Sequence, residues 1–195
     1  MNGVTARALQ SFIQTTYGDA VWAAVLADSR VEVPSFELML NYAPQLTERV
    51  LGAAAKHLNR APDEVLEDLG LFLVSHADMQ PLRRLLRFGG VDFAAFVQSM
   101  GDLPERARMV LPHATMPPIR PVDEGDGRWA IFCGRRPEGM VHVIRGGIRA
   151  MADDYGALAT VELGPDEGPN HRLDVTILSD HFSEGRVFDL AAQAE

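Results

Sequence analysis

The chain has 195 residues, of which 47% are hydrophobic and 23% charged, and it carries a formal net charge of −9. That is enough length and apolar content for one substantial core, while an acidic surface repels phosphates and argues against nucleic acid as a partner. Cys133 is the only cysteine, which leaves no intramolecular disulfide and no CxxC metal site.

The first two thirds read as helices. Residues 5–17 place Ala8, Leu9, Phe12 and Ile13 on one stripe, and Gly18-Asp19 breaks and restarts the helix. Val21, Trp22, Val25 and Leu26 mark a second, shorter helix. Pro34 and Pro44 bracket an irregular or short helical piece with Phe36, Met39 and Leu40. Residues 45–58 return to helical spacing through Leu46, Val50, Leu51, Ala54 and Leu58. Pro62 followed by Asp63 and Glu64 is a first-turn signature, since proline suits a helix start and acids suit the positive end of the dipole. Val65, Leu66, Leu69, Phe72 and Leu73 supply that helix's buried face. A short arginine-rich helix ends at Gly89-Gly90, and another begins near Asp92. The arginines at 83–87 and 106–108 are expected to be solvated faces.

After Pro117-Pro118 the period changes. Arg128–Phe132, Thr160–Leu163 and Arg172–Ile177 alternate like half-buried strands. An amphipathic helix over roughly 139–155 carries Met140, Ile144, Ile148, Met151 and Tyr155 in register. Gly146-Gly147 within it reads as a close-packing site, and Asp153-Asp154 as solvated. The order of helices, then strand, strand, helix, strand, strand, predicts an α+β domain with an N-terminal helical part on a four-stranded antiparallel sheet. The domain is expected over 1–179, helical to about 112 and sheet-containing from about 117, with 180–195 as a tail. The start lacks the apolar run of a signal peptide and no segment approaches the roughly 18 uninterrupted apolar residues of a membrane span, so no membrane contact and a cytoplasmic location are expected.

Several landmarks occur in a characteristic order: Met1-x-Gly3, Tyr17-Gly18, Trp22, Phe93 and Phe96 opening a helix that runs to Pro112, then Pro117-Pro118. In that order the chain resembles the H-NOX family of heme nitric-oxide/oxygen-binding sensors, which includes the sensory domain of soluble guanylate cyclase. The resemblance implies a heme held by a histidine eight residues before the proline that ends the proximal helix. Counting back eight from Pro112 lands on Pro104, which has no side-chain donor for iron. A proline there also deletes a backbone hydrogen bond and clashes with the preceding turn. With Gly101 beside it, the proximal helix is expected to split near 101–104, with Pro104 opening a second segment.

The family's Tyr-x-Ser-x-Arg signature, which holds the heme propionates, matches Phe132-Cys133-Gly134-Arg135-Arg136. Arg136 keeps the charge and the bidentate fork, whereas Phe132 and Gly134 lack the two hydroxyls. Cys133 and Arg135 are expected on the opposite face. The distal position, counted from Arg136, holds Val141, an apolar wall that favours NO over oxygen wherever iron is bound. Pro118 and Met100 complete the expected pocket, and Phe132, Met100 and Met109 are expected to lean inward to fill it.

Six histidines remain: His57, His76, His113, His142, His171 and His181. No two stand three or four apart, so no helical metal pair is encoded. There is no GxSxG elbow, phosphate-binding glycine loop or histidine–carboxylate constellation, and no enzyme is expected. Together these readings give a sensory or regulatory protein without a metal site of its own, in which the balance tips against bound heme. By the resemblance it acts on a separate signalling protein, such as a histidine kinase or a cyclic-di-nucleotide enzyme. The alternative is a heme-free adaptor, or a domain for another apolar ligand, that keeps the fold and the partner surface.

Overall fold

The structure is a computed structural model that describes residues 3–33, 35–110 and 115–186. Met1, Pro34, Pro112, His113 and the tail beyond Arg186 lie outside the described residues. The helical part opens with α1 (Gly3–Tyr17) and α2 (Asp19–Ser29). Gly18 between them sits at φ 93°, a left-handed conformation that glycine adopts without steric cost, so the break falls where the sequence put it. Residues 30–33 and 35–43 are irregular. Phe36 plugs the core from this stretch, its ring edge-on to Tyr42 at 4.9 Å, while Met39 and Leu40 face solvent. The Phe36 N–H donates to the buried Gln10 amide oxygen at 2.9 Å.

Helices α3 (Pro44–Leu58) and α4 (Pro62–Ser75) follow. Glu64 closes the first turn of α4 by accepting from the Ala61 N–H at 3.0 Å. Helix α4 lies against α8 (Met140–Tyr155), and the two approach through glycines. A Cβ on Gly70 would overlap the Val143 carbonyl oxygen, and one on Gly146 would overlap the Glu67 carbonyl oxygen. The expected close packing at Gly146 is thus a backbone-to-backbone contact.

Between them in sequence run α5 (Gln80–Arg87) and α6 (Phe93–Gln98). Asp92 caps α6, accepting from the Ala95 N–H at 2.8 Å. A 3-10 turn over Ser99–Asp102 then leads into α7 (Leu103–Val110). The segment predicted to split near 101–104 does so, and Pro104 is the second residue of α7, where a missing N–H removes no intrahelical bond.

The sheet consists of β1 (Ile119–Gly125), β2 (Arg128–Gly134), β3 (Leu158–Leu163) and β4 (Asn170–Ser179), antiparallel throughout in the order β1-β2-β4-β3. This is the predicted α+β architecture. Trp129, Ile131 and Cys133 of β2 share a core with Leu173 and Val175 of β4, with Phe96, Met100 and Leu103, and with Ile144 and Ile148 of α8. A second core joins α1 to α4 around Leu9, Ile13, Val25, Phe36 and Leu69. Residues 180–186 of the tail return to the end of α8. Phe182 and Ser183 donate their N–H groups to the Gly156 carbonyl at 2.9 and 3.1 Å, and Arg186 donates to that of Asp154 at 2.9 Å.

Candidate functional site

Met100 is 1% exposed and reaches the core from the 3-10 turn, as the sequence predicted. Pro104 is buried, and its carbonyl accepts from the Arg108 Nε at 3.2 Å. Met109, expected to lean inward, is 80% exposed, because the split turns the second half of the segment outward. Gly101 lies against β1, where a Cβ would meet the Pro121 ring at an ordinary 3.5 Å.

The phase of β2 differs from that of the motif count. Phe132 belongs to the face away from the helices, stacked between the guanidinium groups of Arg120 at 4.2 Å and Arg172 at 5.8 Å. Those two arginines are its cross-strand partners on β1 and β4. Gly134 shares that outer face, and its N–H donates to the Pro118 carbonyl at 2.9 Å. A Cβ there would stand 2.8 Å from the Pro118 ring. Arg136 is exposed and has no ion-pair partner among the described residues. Phe132, Gly134, Pro118 and Arg136 therefore do not converge on an interior site.

The residues of β2 that do point inward are Ile131 and Cys133, one position earlier; Arg135 follows beyond the end of the strand, exposed and ion-paired to Asp166 at 2.7 Å. A slip of one residue in a strand moves every side chain to the other face, and a motif that ends in two adjacent arginines does not fix which one sets the phase. Cys133, expected to face outward, is fully buried, and burial pushes its thiol up to about 12, so it stays protonated near neutrality.

On α8, Val141 is buried in the core. His142 flanks it, with its Nε2 3.4 Å from Asp63. Burial pulls the His142 imidazole below its usual value, and the Asp63 carboxylate works against that shift. His171 meets Asp166 through Nδ1 at 2.9 Å. Among the described residues, no group of three metal-ligating side chains gathers at either histidine.

Pro104 offers iron no donor atom, Phe132 and Gly134 lie on the outer face of β2, and Arg136 is exposed beyond its end. As the sequence assigned them, these residues do not fit heme.

Two surface assignments are corrected by a polar cluster that the sequence reading missed. Asp154 is 1% exposed rather than solvated, and Arg83 turns inward to it, Nε to Oδ1 at 2.7 Å. Arg87 approaches the other carboxylate oxygen at 3.7 Å and lies 3.9 Å over the Tyr155 ring. Tyr155 donates its hydroxyl to the Gly90 carbonyl at 2.7 Å, tying the turn before α6 to the end of α8. The available signal was spacing: Arg83 and Arg87 stand four apart, and Asp154 lies three after Met151 on the buried stripe of α8. Arg106 also folds back, donating to the Ser99 carbonyl at 3.0 Å, whereas Arg108 is exposed as predicted.

Comparison with known proteins agrees with the fold. A family model described as Haem-NO-binding matches residues 2–163. Over 183 residues the chain is 20% identical to the soluble guanylate cyclase gcy-31 of Caenorhabditis elegans, covering 94% of this chain and 26% of that protein. The chain thus spans about a quarter of that relative's length. Among solved structures, it is similar to an H-NOX protein from S. oneidensis in the Fe(II)NO ligation state, with a TM-score of 0.76, 15% identity and coverage of 92% of this chain and 100% of that one. An Fe(II) unliganded H-NOX protein mutant from K. algicida gives a TM-score of 0.75 at 13% identity, covering 92% of this chain and 98% of the other.

Proposed function

The chain belongs to the haem-NO-binding family, and from that premise we propose that it is a regulatory domain of the nitric-oxide signalling type in which histidine ligation of heme has been lost. It keeps the fold and acts as an adaptor on a separate cytoplasmic signalling protein, with a histidine kinase or a cyclic-di-nucleotide enzyme as the partner class. It carries out no catalysis of its own. The observation that carries this reading is Pro104 at the head of α7, in the position where the family resemblance calls for an imidazole. The absence of hydroxyls at Phe132 and Gly134 and the exposure of Arg136 support it, because a pocket without those donors holds the propionates weakly.

The visible spectrum of the protein expressed with ample heme tests the proposal. No Soret band of five-coordinate, histidine-ligated iron is expected. Stoichiometric heme with that spectrum would overturn it, and substituting the six histidines in turn would then locate the ligand.

A further inference from the structure

A cleft of about 420 Å3 opens where the end of α2 meets α3, remote in sequence from the proximal segment and the sheet. One wall is helical. Arg49, Gly52, Ala53 and Lys56 stand at i, i+3, i+4 and i+7 of α3, so they form one stripe with a cation at each end and small residues between. The other wall is the end of α2, where Asp28 and Ser29 are followed by Arg30. Arg30 caps that helix at φ 53°, the left-handed region that side chains other than glycine and asparagine seldom occupy.

Charge and space in the cleft are both unbalanced. Lys56 is satisfied by Asp28 at 2.8 Å, and His57 approaches the same carboxylate at 3.6 Å. Arg30 and Arg49 have no hydrogen-bond or ion-pair partner among the described residues. The lining therefore sets three cations, Arg30, Arg49 and Lys56, against the single carboxylate of Asp28, on a chain whose net charge is −9. Gly52 lies inside a helix, where glycine is the poorest former after proline. No neighbour requires it, since a Cβ there would meet nothing within 4 Å. What the missing side chain leaves is open room above Ala53, which is buried at the floor.

We propose that this cleft binds a small phosphate ester of the mononucleotide class. The phosphate lies between Arg30 and Arg49, and the flat ring lies over Gly52 and Ala53. Guanidinium forks match phosphate oxygens in pairs, and two of them match a dianion. The volume falls in the range of small-molecule sites, about 300–1,000 Å3. The Lys56–Asp28 pair closes one end and adds no unmatched charge.

Titration calorimetry on the full chain at low ionic strength tests this, with adenosine 5′-monophosphate, inorganic phosphate and adenosine as separate probes. The nucleotide is expected to bind one to one, phosphate more weakly, and adenosine not at all. Arg49→Gln should weaken the nucleotide by about tenfold or more, the loss of a charge-assisted hydrogen bond. Gly52→Leu should abolish binding by filling the cleft, while a melting curve at least as high as that of the parent shows the fold intact. Absence of nucleotide binding overturns the proposal, as does an affinity unchanged in both variants. Phosphate binding as tightly as the nucleotide overturns the assignment of the ring, and binding of an acidic peptide alone would make the cleft a protein-docking site instead.

Discussion

Replacing Asp154 by alanine removes the one carboxylate that Arg83 and Arg87 share at the end of α8. The carboxylate is 1% exposed, and the Arg83 and Arg87 side chains are 10% and 16% exposed. Water therefore does not take over the role of the lost partner. Breaking a buried pair from one side costs about 3–5 kcal/mol. Arg87 retains the Tyr155 ring at 3.9 Å and Arg83 its 3.3 Å bond to Gln80, but the shorter 2.7 Å bond of Arg83 is lost. Against a total stability of about 5–15 kcal/mol, this is a large share. With a urea slope of about 2–3 kcal/mol per molar, the unfolding midpoint should fall by about 1–2 M, read by tryptophan fluorescence. Arg128→Ala breaks an exposed 3.5 Å pair with Asp126 and is the control, expected to cost about 0–1 kcal/mol. A loss for Asp154→Ala no larger than the control's would show that the cluster is solvated after all and refute the reasoning.

Two further perturbations follow from the contact between α4 and α8. Gly146→Ala forces a methyl group into the Glu67 carbonyl, so the helices must separate; a loss of about 1–3 kcal/mol or more is expected in the same denaturation assay. His142 titrates below its usual value because it is buried, so the folded protein binds its proton less readily than the unfolded chain. The groups facing it are Asp63, Arg145, His171 and Glu67, of which the two carboxylates oppose the shift. Its contribution is intact above about pH 6.5 and declines as pH falls through that value toward the folded pKa. Midpoints measured from pH 7 to 5 should therefore drop, and His142→Gln should flatten the drop.

What the sequence disclosed was local, and what it hid depended on long-range partners. The split at Pro104 was legible because a proline acts on its own turn, and Gly18 and Asp92 punctuate their helices locally, Gly18 through its backbone and Asp92 through its capping side chain. The phase of β2 was not legible. The alternation expected over Arg128–Phe132 is not there: Trp129-Ala130-Ile131-Phe132-Cys133 is apolar and buried at every position, because Ala130 and Phe132 are covered on the outer face as well, Phe132 beneath arginines from two neighbouring strands. Strand β1 carried no periodic signal because Arg120, Asp123 and Glu124 punctuate an edge strand that also tolerates Pro121. The Arg83–Asp154 pair joins residues 71 apart, and no window along the chain contains both.

The phase of β2 also decides how a lost heme site would have to be rebuilt. Pro104→His supplies an imidazole and returns a backbone donor, but anchoring the propionates depends on which residues of β2 receive hydroxyls. The motif count calls for Phe132→Tyr and Gly134→Ser. The first of these places its hydroxyl on the outer face beside Arg120 and Arg172. The second presses a side chain against the Pro118 ring, 2.8 Å from the added Cβ. The inward set is Ile131→Tyr and Cys133→Ser. Hydrogen bonds to a charged group contribute about 1.5–3 kcal/mol each, so two correctly placed hydroxyls should tighten porphyrin binding by about 10²–10⁴. Without porphyrin, the same hydroxyls sit unpaired in the core, so this variant should be less stable as the apoprotein and should recover when heme is added. Heme titrations of the two triple variants, followed at the Soret band, separate the alternatives. Uptake by the Ile131/Cys133 variant and not by the Phe132/Gly134 variant is expected. The reverse order would mean that β2 presents its other face to the ligand, and the phase assigned to the strand would be wrong.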